Sequence, residues 1–302
     1  MHQTAEIING IKEGNFKILA RAISLVENNH DDGIKILESI QHNSKTALIG
    51  ITGPPGVGKS SLVNGLLDLL IKQNKKVGVI AVDPSSPFNF GALLGDRVRM
   101  TKHFNSENIF IRSMASRGSL GGLCDKILEV TDLMRQAPFD FIFIETVGVG
   151  QSEVEIAGLA DTSVVVLVPE AGDEVQTMKA GLMEIADVFV VNKADHTDAD
   201  KLFKNLRTLV HEKVKEQEVE VIKTIATDGT GIENLLAAIE KHNSNIQNEN
   251  RHIHFLTEKA WRIIQSERMK KIDRKNLEQQ ISTQLNTPDF NIYKLAKEFD
   301  KD

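Results

Sequence analysis

Ala47-Leu48-Ile49-Gly50-Ile51-Thr52-Gly53-Pro54-Pro55-Gly56-Val57-Gly58-Lys59-Ser60 is the stretch on which the fold turns. Residues 47–51 are apolar or glycine with no polar alternation, the pattern of a strand buried on both faces. Gly53 to Ser60 then match G-x-x-x-x-G-K-[ST], and helical periodicity follows, so a phosphate-binding loop between strand and helix is expected. Gly53, Gly56 and Gly58 allow the backbone to curl until its N–H groups face phosphate oxygens, and the helix start adds the positive end of its dipole. Lys59 is expected at the β and γ phosphates and the Ser60 hydroxyl on Mg²⁺. The nucleotide contacts predicted for this loop are Gly53, Pro54, Pro55, Gly56, Val57, Gly58, Lys59, Ser60 and Ser61.

Outward from the loop, short apolar runs alternate with amphipathic stretches. Strands are predicted at 47–51, 77–82, 109–111, 140–144, 163–168, 187–191 and 219–224, and helices at 60–73, 93–104, 122–136, 174–186 and 198–216. That alternation predicts an α/β fold, a doubly wound and mostly parallel sheet. Residues 1–45 read as an N-terminal helical extension, with Ile8, Ile11, Phe16, Leu19 and Ile23 at helical spacing and Asp31-Asp32-Gly33 as punctuation. The nucleotide domain is predicted over 46–242. Lys241 to Arg251 is polar and Asn-rich, a linker or exposed turn, and 243–302 reads as a C-terminal helical dimerisation region. Its apolar positions, Trp261 among them, lie beyond the sheet domain and predict a homodimer.

Asn192-Lys193-Ala194-Asp195 follows the apolar strand that ends at Val191, on the edge of the sheet where open α/β folds bind ligands. A carboxylate at Asp195 accepts hydrogen bonds from the ring N–H and exocyclic amine of guanine. Adenine offers neither donor there, so the wrong base leaves the carboxylate unpaired. Asn192 is expected to contact the base edge and tie loops together, and the Lys193 stem to cover the base face. Within Thr224 to Gly231, backbone N–H groups near Ala226 can meet the guanine carbonyl oxygen; the same residues also suit a plain strand-to-helix turn. The expected ligand is GTP or GDP.

Asp83 and Glu145 close two of the predicted strands at the phosphate end. Mg²⁺ prefers oxygen ligands and keeps waters, so the predicted metal set is Ser60, Asp83 and Glu145, partly through water. Gly148 permits a backbone N–H to approach the γ-phosphate, and Asp96 supplies a third acid. The predicted catalytic set is Lys59, Asp83, Asp96 and Glu145, with the acid that orients the attacking water left open. Arg97, Arg112 and Arg117 are candidates to stabilise transition-state charge, none preferred over a surface role.

Composition narrows the class. The 302 residues are 41% hydrophobic and 26% charged, enough apolar material for a large core. A net charge of -6 argues against broad binding to a phosphate backbone, so no nucleic-acid partner is expected. The single cysteine, Cys124, excludes an internal disulfide framework, and His252 with His254 lacks nearby cysteine or acidic partners for zinc. No basic start with an apolar run opens the chain, and no apolar stretch nears the ~20 residues of a membrane span. A cytoplasmic protein without membrane attachment is expected.

Several longer strings resemble one family. They are Val82-Asp83-Pro84-Ser85-Ser86-Pro87-Phe88, Leu94-Gly95-Asp96-Arg97-Val98-Arg99-Met100, Phe110-Ile111-Arg112-Ser113-Met114-Ala115, and Glu145-Thr146-Val147-Gly148-Val149-Gly150-Gln151-Ser152-Glu153. Over about residues 15 to 275 the chain is similar to the GTPases associated with methylmalonyl-CoA mutase, the MeaB/ArgK-like family. The resemblance implies Asp83, Asp96 and Glu145 around the metal and the attacking water. It also implies Lys179 in a loop that signals nucleotide state, a homodimer formed through C-terminal helices, and a cobalamin-dependent acyl-CoA mutase as the partner protected or loaded. The chain departs from the family pattern at Asn89-Phe90-Gly91, Ser119 and Ile225, which touches loop detail. Two other readings are weighed against it. A metal-insertion GTPase would carry a His-rich or Cys-Pro-Cys site, which the sequence lacks, and Asp195 argues against a nucleotide-gated transport-associated ATPase.

Overall fold

The computed structural model describes residues 2–41, 43, 45–83, 100–103, 106–115, 126–146, 158–169, 185–213, 219–245 and most positions from 253 to 299. The seven apolar runs form seven strands: β1 (Ala47–Thr52), β2 (Val77–Asp83), β3 (Ile109–Ala115), β4 (Phe141–Glu145), β5 (Thr162–Leu167), β6 (Val188–Val191) and β7 (Glu220–Lys223). They make one sheet in the order β3-β2-β4-β1-β5-β6-β7, and every pairing is parallel. The chain builds one side of β1 first and then the other, so the order reverses at β1. Open sheets bind ligands in the crevice at such a reversal, beyond the carboxyl ends of the strands.

Both faces are covered, which is why the strands carry few polar residues. On one face α4 (Lys59–Lys72) and α7 (Ile232–Asn245) bury Leu62, Leu66, Leu70, Leu235 and Ile239 against Ile49, Phe143, Val166 and Val190. On the other, α6 (Ala199–Lys213) packs Leu202, Leu206 and Val210 onto Val165, Leu167 and Phe189. Each such side chain contributes about 1.5–3 kcal/mol on burial. The helix α5 (Ile127–Met134) lies within the range predicted at 122–136. Of the predicted helix 93–104, the described part is a 3₁₀ turn at Thr101–His103; most of 174–186 lies outside the described residues.

The first 45 residues form α1 (His2–Lys12), α2 (Phe16–Glu27) and α3 (Asp31–Ser39). Asp31-Asp32-Gly33 does not separate helices as expected but opens α3. The break falls at Asn28-Asn29-His30, where Asn29 takes a φ of 53° and the His30 ring caps the helix by accepting from the Asp32 N–H. Gly33 serves contact instead: a Cβ there would lie 2.7 Å from the Leu25 carbonyl oxygen of α2. Phe16 reaches the sheet side, with its ring centroid 5.5 Å from Phe110 and 5.6 Å from Phe139. The predicted polar linker at Lys241 to Arg251 is helical in its first part, because α7 continues to Asn245. His242 holds that last turn, with Nδ1 2.9 Å from Thr162 Oγ1 and Nε2 3.2 Å from the Asp187 carboxylate.

The chain divides into two compact units, residues 1–247 and 248–302. In the second, α8 (Arg274–Gln284) and α9 (Ile292–Phe299) are amphipathic or polar, and Ile253, Trp261, Ile264 and Met269 are exposed. No helix among the described residues is long and apolar enough to cross a membrane.

One ionic contact ties the entry of β1 to its surroundings. Asp161 Oδ2 accepts from Arg135 Nη2 at 2.7 Å and from the Leu48 N–H at 2.8 Å, while Asn43 donates to the Arg135 carbonyl. Arg135 is 5% exposed. Asp161→Ala is expected to lower the unfolding free energy by about 2–3 kcal/mol, because it leaves a buried guanidinium and a strand N–H without their acceptor. Urea denaturation reads this directly.

A second expectation concerns acid. His103 is buried against α4, 3.6 Å from Asp68, which accepts a hydrogen bond from Lys102. Burial lowers its pKa from 6.5, Asp68 opposes that shift, and Lys102 adds to it. The unfolded chain therefore takes up the proton more readily. This contribution to stability is complete above the unfolded pKa and is lost as pH falls through the lowered folded value. His103→Leu is expected to flatten the acid-side decline in urea midpoint between about pH 7.5 and 5.5. An unchanged slope would assign the decline to other groups.

Candidate functional site

The loop after β1 is shaped by three glycines with positive φ, Gly53 at 138°, Gly56 at 78° and Gly58 at 93°. Pro55 and Gly56 form its exposed tip, while Pro54 and Val57 are buried against the domain. Gly58 is required for contact as well as conformation, since a Cβ there would sit 2.4 Å from Asn192 Nδ2. α4 starts at Lys59, so the positive end of its dipole lies at the loop. Lys59 is only 6% exposed, and its ammonium curls back to donate to the carbonyls of Gly53 at 2.7 Å and Pro54 at 2.9 Å.

Ser60, also in the first turn, donates from Oγ to Glu145 Oε1 at 2.6 Å. Both side chains are buried. The structure thus joins two residues 85 positions apart that the sequence predicted as one metal set. A hydroxyl and a carboxylate are hard oxygen donors of the kind Mg²⁺ takes, so the pair fits that ion. The backbone of Asp83 ends β2 at the same edge of the sheet, two residues past Ala81, which is opposite Glu145. Asp96, Gly148 and Lys179 lie outside the described residues, as do Arg97 and Arg117. Arg112 is directed away from this edge: its guanidinium pairs with Glu27 and donates to Ser24 Oγ at 3.2 Å, both on α2. Its role is to attach the N-terminal helices to β3, not to serve transition-state charge.

The predicted base loop meets the phosphate loop through one amide. Asn192 Nδ2 donates to the Val57 carbonyl at 2.8 Å, and Asn192 Oδ1 accepts from Thr224 Oγ1 at 3.0 Å and the Ala226 N–H at 3.1 Å. Asn192 is 3% exposed, so its amide is a buried polar centre with its partners supplied by two segments, the phosphate loop and the turn after β7. Lys193 takes a left-handed φ of 54°, which turns the chain away from β6. The Ala194 N–H then donates to the Thr224 carbonyl at 3.0 Å, and Asp195 is exposed. The Ala226 N–H predicted to meet a base carbonyl is here engaged by Asn192. Its turn is closed by the bridge between Ile225 and Thr230 and by the Thr230 N–H, which holds the Asp228 carboxyl below its ordinary pKa.

Between α4 and this turn lies a cavity of about 570 Å³, lined among others by Ser61, Asn64, Asp68, Lys102, Ala226 and Asp228. Ser61, from the phosphate side, and Ala226, from the base side, both line it. Three residues that sequence reasoning passed over also belong here. Thr52, Thr146 and Thr224 are buried hydroxyls where strands β1, β4 and β7 end. The available signal was positional for two of them, since Thr52 and Thr146 stand where largely apolar strands end; Thr224 follows the mixed strand Glu220–Lys223 and gave no such signal.

Comparison with known proteins agrees with this geometry. A protein of Pyrococcus horikoshii named as a GTPase is 46% identical over 248 residues, 80% of this chain and 78% of that one. GTPase ArgK of Escherichia coli is 37% identical, covering 78% of this chain and 74% of its own. The crystal structure of LAO/AO transport system kinase superposes with a TM-score of 0.71 at 26% identity, over 100% of this chain and 97% of that chain. The family model for methylmalonyl-CoA mutase-associated GTPase MeaB matches residues 19–285. With its phosphate loop, its Asn192 junction and this match over most of its length, the chain belongs to the methylmalonyl-CoA mutase-associated GTPase family.

Proposed function

We propose that the protein binds GTP with Mg²⁺, hydrolyses it to GDP and phosphate, and uses that cycle as a chaperone of a cobalamin-dependent acyl-CoA mutase of the methylmalonyl-CoA type. The observation that carries the nucleotide part is the Asn192 amide, bonded to Val57 on one side and to Thr224 and Ala226 on the other. It joins a loop suited to phosphates and loops suited to guanine at a fixed separation.

On this reading the N–H groups of Gly53 to Ser61 and the start of α4 receive the phosphates. Lys59 exchanges two carbonyl acceptors for β and γ oxygens, a gain because charge-assisted bonds are the stronger kind. Ser60, Asp83 and Glu145 hold Mg²⁺, partly through its waters; when bound, the ion neutralises charge on the phosphates. Asp83, Asp96 and Glu145 surround the attacking water, and the Gly148 N–H meets the γ-phosphate. Water oxygen bonds to the γ-phosphorus as the bridging P–O bond breaks, and GDP leaves with that electron pair. On the base side Asp195 accepts from the ring N–H and amine of guanine, and the Lys193 stem covers the ring. The Ala226 N–H turns from Asn192 to the guanine carbonyl.

The partner reading is supported by the family description, which names methylmalonyl-CoA mutase. Lys179, in the loop 170–179, carries nucleotide state to the mutase. Three working regions follow: helices over 1–45, the GTPase domain over 46–242, and a dimerisation region over 243–302. Exposed Ile253, Trp261, Ile264 and Met269 support a homodimer, since an apolar helical surface gains by meeting a second copy. The compartment is read as the cytoplasm.

Calorimetry tests the nucleotide. GTP is expected to bind with Mg²⁺ and ATP weakly. Asp195→Asn exchanges an acceptor for a donor, and is expected to weaken GTP by about 100-fold while admitting xanthosine triphosphate. Tighter binding of ATP than of GTP would sink the assignment.

Purified mutase tests the partner. A partner accelerates turnover only if it favours the hydrolytic arrangement over the resting one, so nucleotide state must change mutase affinity reciprocally. Lys179→Ala is expected to keep GTP affinity and lose the stimulation. If mutase neither alters turnover nor distinguishes GTP from GDP, the chaperone role fails and the GTPase remains.

A further inference from the structure

Glu145 and Thr146 are fastened on both sides of the sheet edge. Glu145 Oε1 accepts from Ser60 Oγ at 2.6 Å, and the next residue, with its side chain on the opposite face, donates from Thr146 Oγ1 to Thr52 Oγ1 at 3.1 Å. The Thr146 N–H completes the set by donating to the Ile51 carbonyl at 3.2 Å. Register explains the meeting. Ile51 is the partner of Glu145 in the parallel pair β1 and β4, so the residues that follow them are neighbours too.

Both hydroxyls are buried, Thr52 at 0% and Thr146 at 2% exposure. Valine has the same branched shape and would suit the end of an apolar strand without a polar group to desolvate. A mutual hydrogen bond roughly offsets the cost of burying two hydroxyls, so it adds little net stability. What it adds is direction. It fixes the side chain of Thr146 against the last residue before Gly53, and thereby the peptide that presents Glu145 to Ser60.

We infer that Thr52 and Thr146 are a positioning pair for hydrolysis, which aligns the Glu145 carboxylate with the phosphate loop without touching nucleotide. The inference rests on the proposed GTP and Mg²⁺ site. It places a determinant of turnover on the face of the sheet away from Ser60.

Thr52→Val and Thr146→Val each keep shape and remove one hydroxyl. Each is expected to lower kcat about tenfold, the scale of one misaligned contact, and to leave the affinity for a fluorescent GDP analogue within about twofold. The Mg²⁺ concentration for half-maximal hydrolysis is expected to rise, and Thr146→Ser, which restores the hydroxyl, to recover most of the rate. The double variant Thr52→Val/Thr146→Val separates alignment from stability. With no orphaned hydroxyl it is expected to return to native urea midpoint, because removing both partners of a bond is far milder than removing one, yet to keep the low kcat. Native kcat in the Thr146→Val protein, or a rate that returns with stability in the double variant, would overturn the inference alone. Failure of the unaltered protein to bind the analogue would overturn the site reading first and this inference with it.

Discussion

The Asn192 side-chain amide satisfies its donor with Val57 and its acceptor with Thr224 and Ala226, and much of the functional edge is arranged around those bonds. An aspartate would lack the donor for the Val57 carbonyl, and a leucine would leave that carbonyl and the Thr224 hydroxyl without partners in a buried place. The amide also dictates its neighbour. Gly58 is tolerated where any Cβ would meet Nδ2 at 2.4 Å, so a residue of the phosphate loop is set by one 134 positions later in the chain. Burial of Asn192 and Thr224 strengthens the coupling, because their bonds compete less with solvent, and movement of one loop must be answered by the other.

The sheet makes this centre possible by bringing the ends of β1, β6 and β7 to one edge. Its polar residues are concentrated where the apolar layers stop. At the carboxyl edge are Thr52, Glu145, Asn192 and Thr224; at the opposite edge Asp161, Asp187 and His242 fasten strand entries to neighbouring elements. The same chemistry serves two purposes at the two edges. The entry contacts hold the scaffold, whereas the exit contacts involve the loops around the candidate ligand site. Arg112 extends the scaffold further, fixing α2 beside β3 so that the N-terminal helices form part of the first compact unit.

Membership of a GTPase family accounts for the phosphate loop, and the observed contacts show what that loop depends on. Lys59 lies over the carbonyls of Gly53 and Pro54, and Ser60 lies on Glu145. On the proposed reading these are the groups that would pass to phosphate and metal. Pre-arranged donors of this kind reduce the reorganisation that catalysis would otherwise require.

Much of this was legible in residue order. Seven short apolar runs gave seven strands because a parallel sheet covered on both faces tolerates little polarity, and the glycine spacing before Lys59 gave the loop because few other sequences curl that way. Local pattern failed where a distant partner intervened. Gly33 looked like punctuation and is a point of close approach to α2; Lys241 onward looked like linker and begins as helix because Thr162 and Asp187 hold His242. The Ala226 N–H, offered for a base carbonyl or a plain turn, is met by Asn192 in this structure, while Arg112, read as a transition-state candidate or a surface residue, is held by Glu27. The sequence by itself determined the strands, the helices at 60–73, 122–136 and 198–216 in outline, and the chemical types at the edge. Only the tertiary structure decided which of those groups meet, because a hydrogen bond between residues 135 apart, such as that from Asn192 to Val57, leaves no period or spacing in the chain to be read.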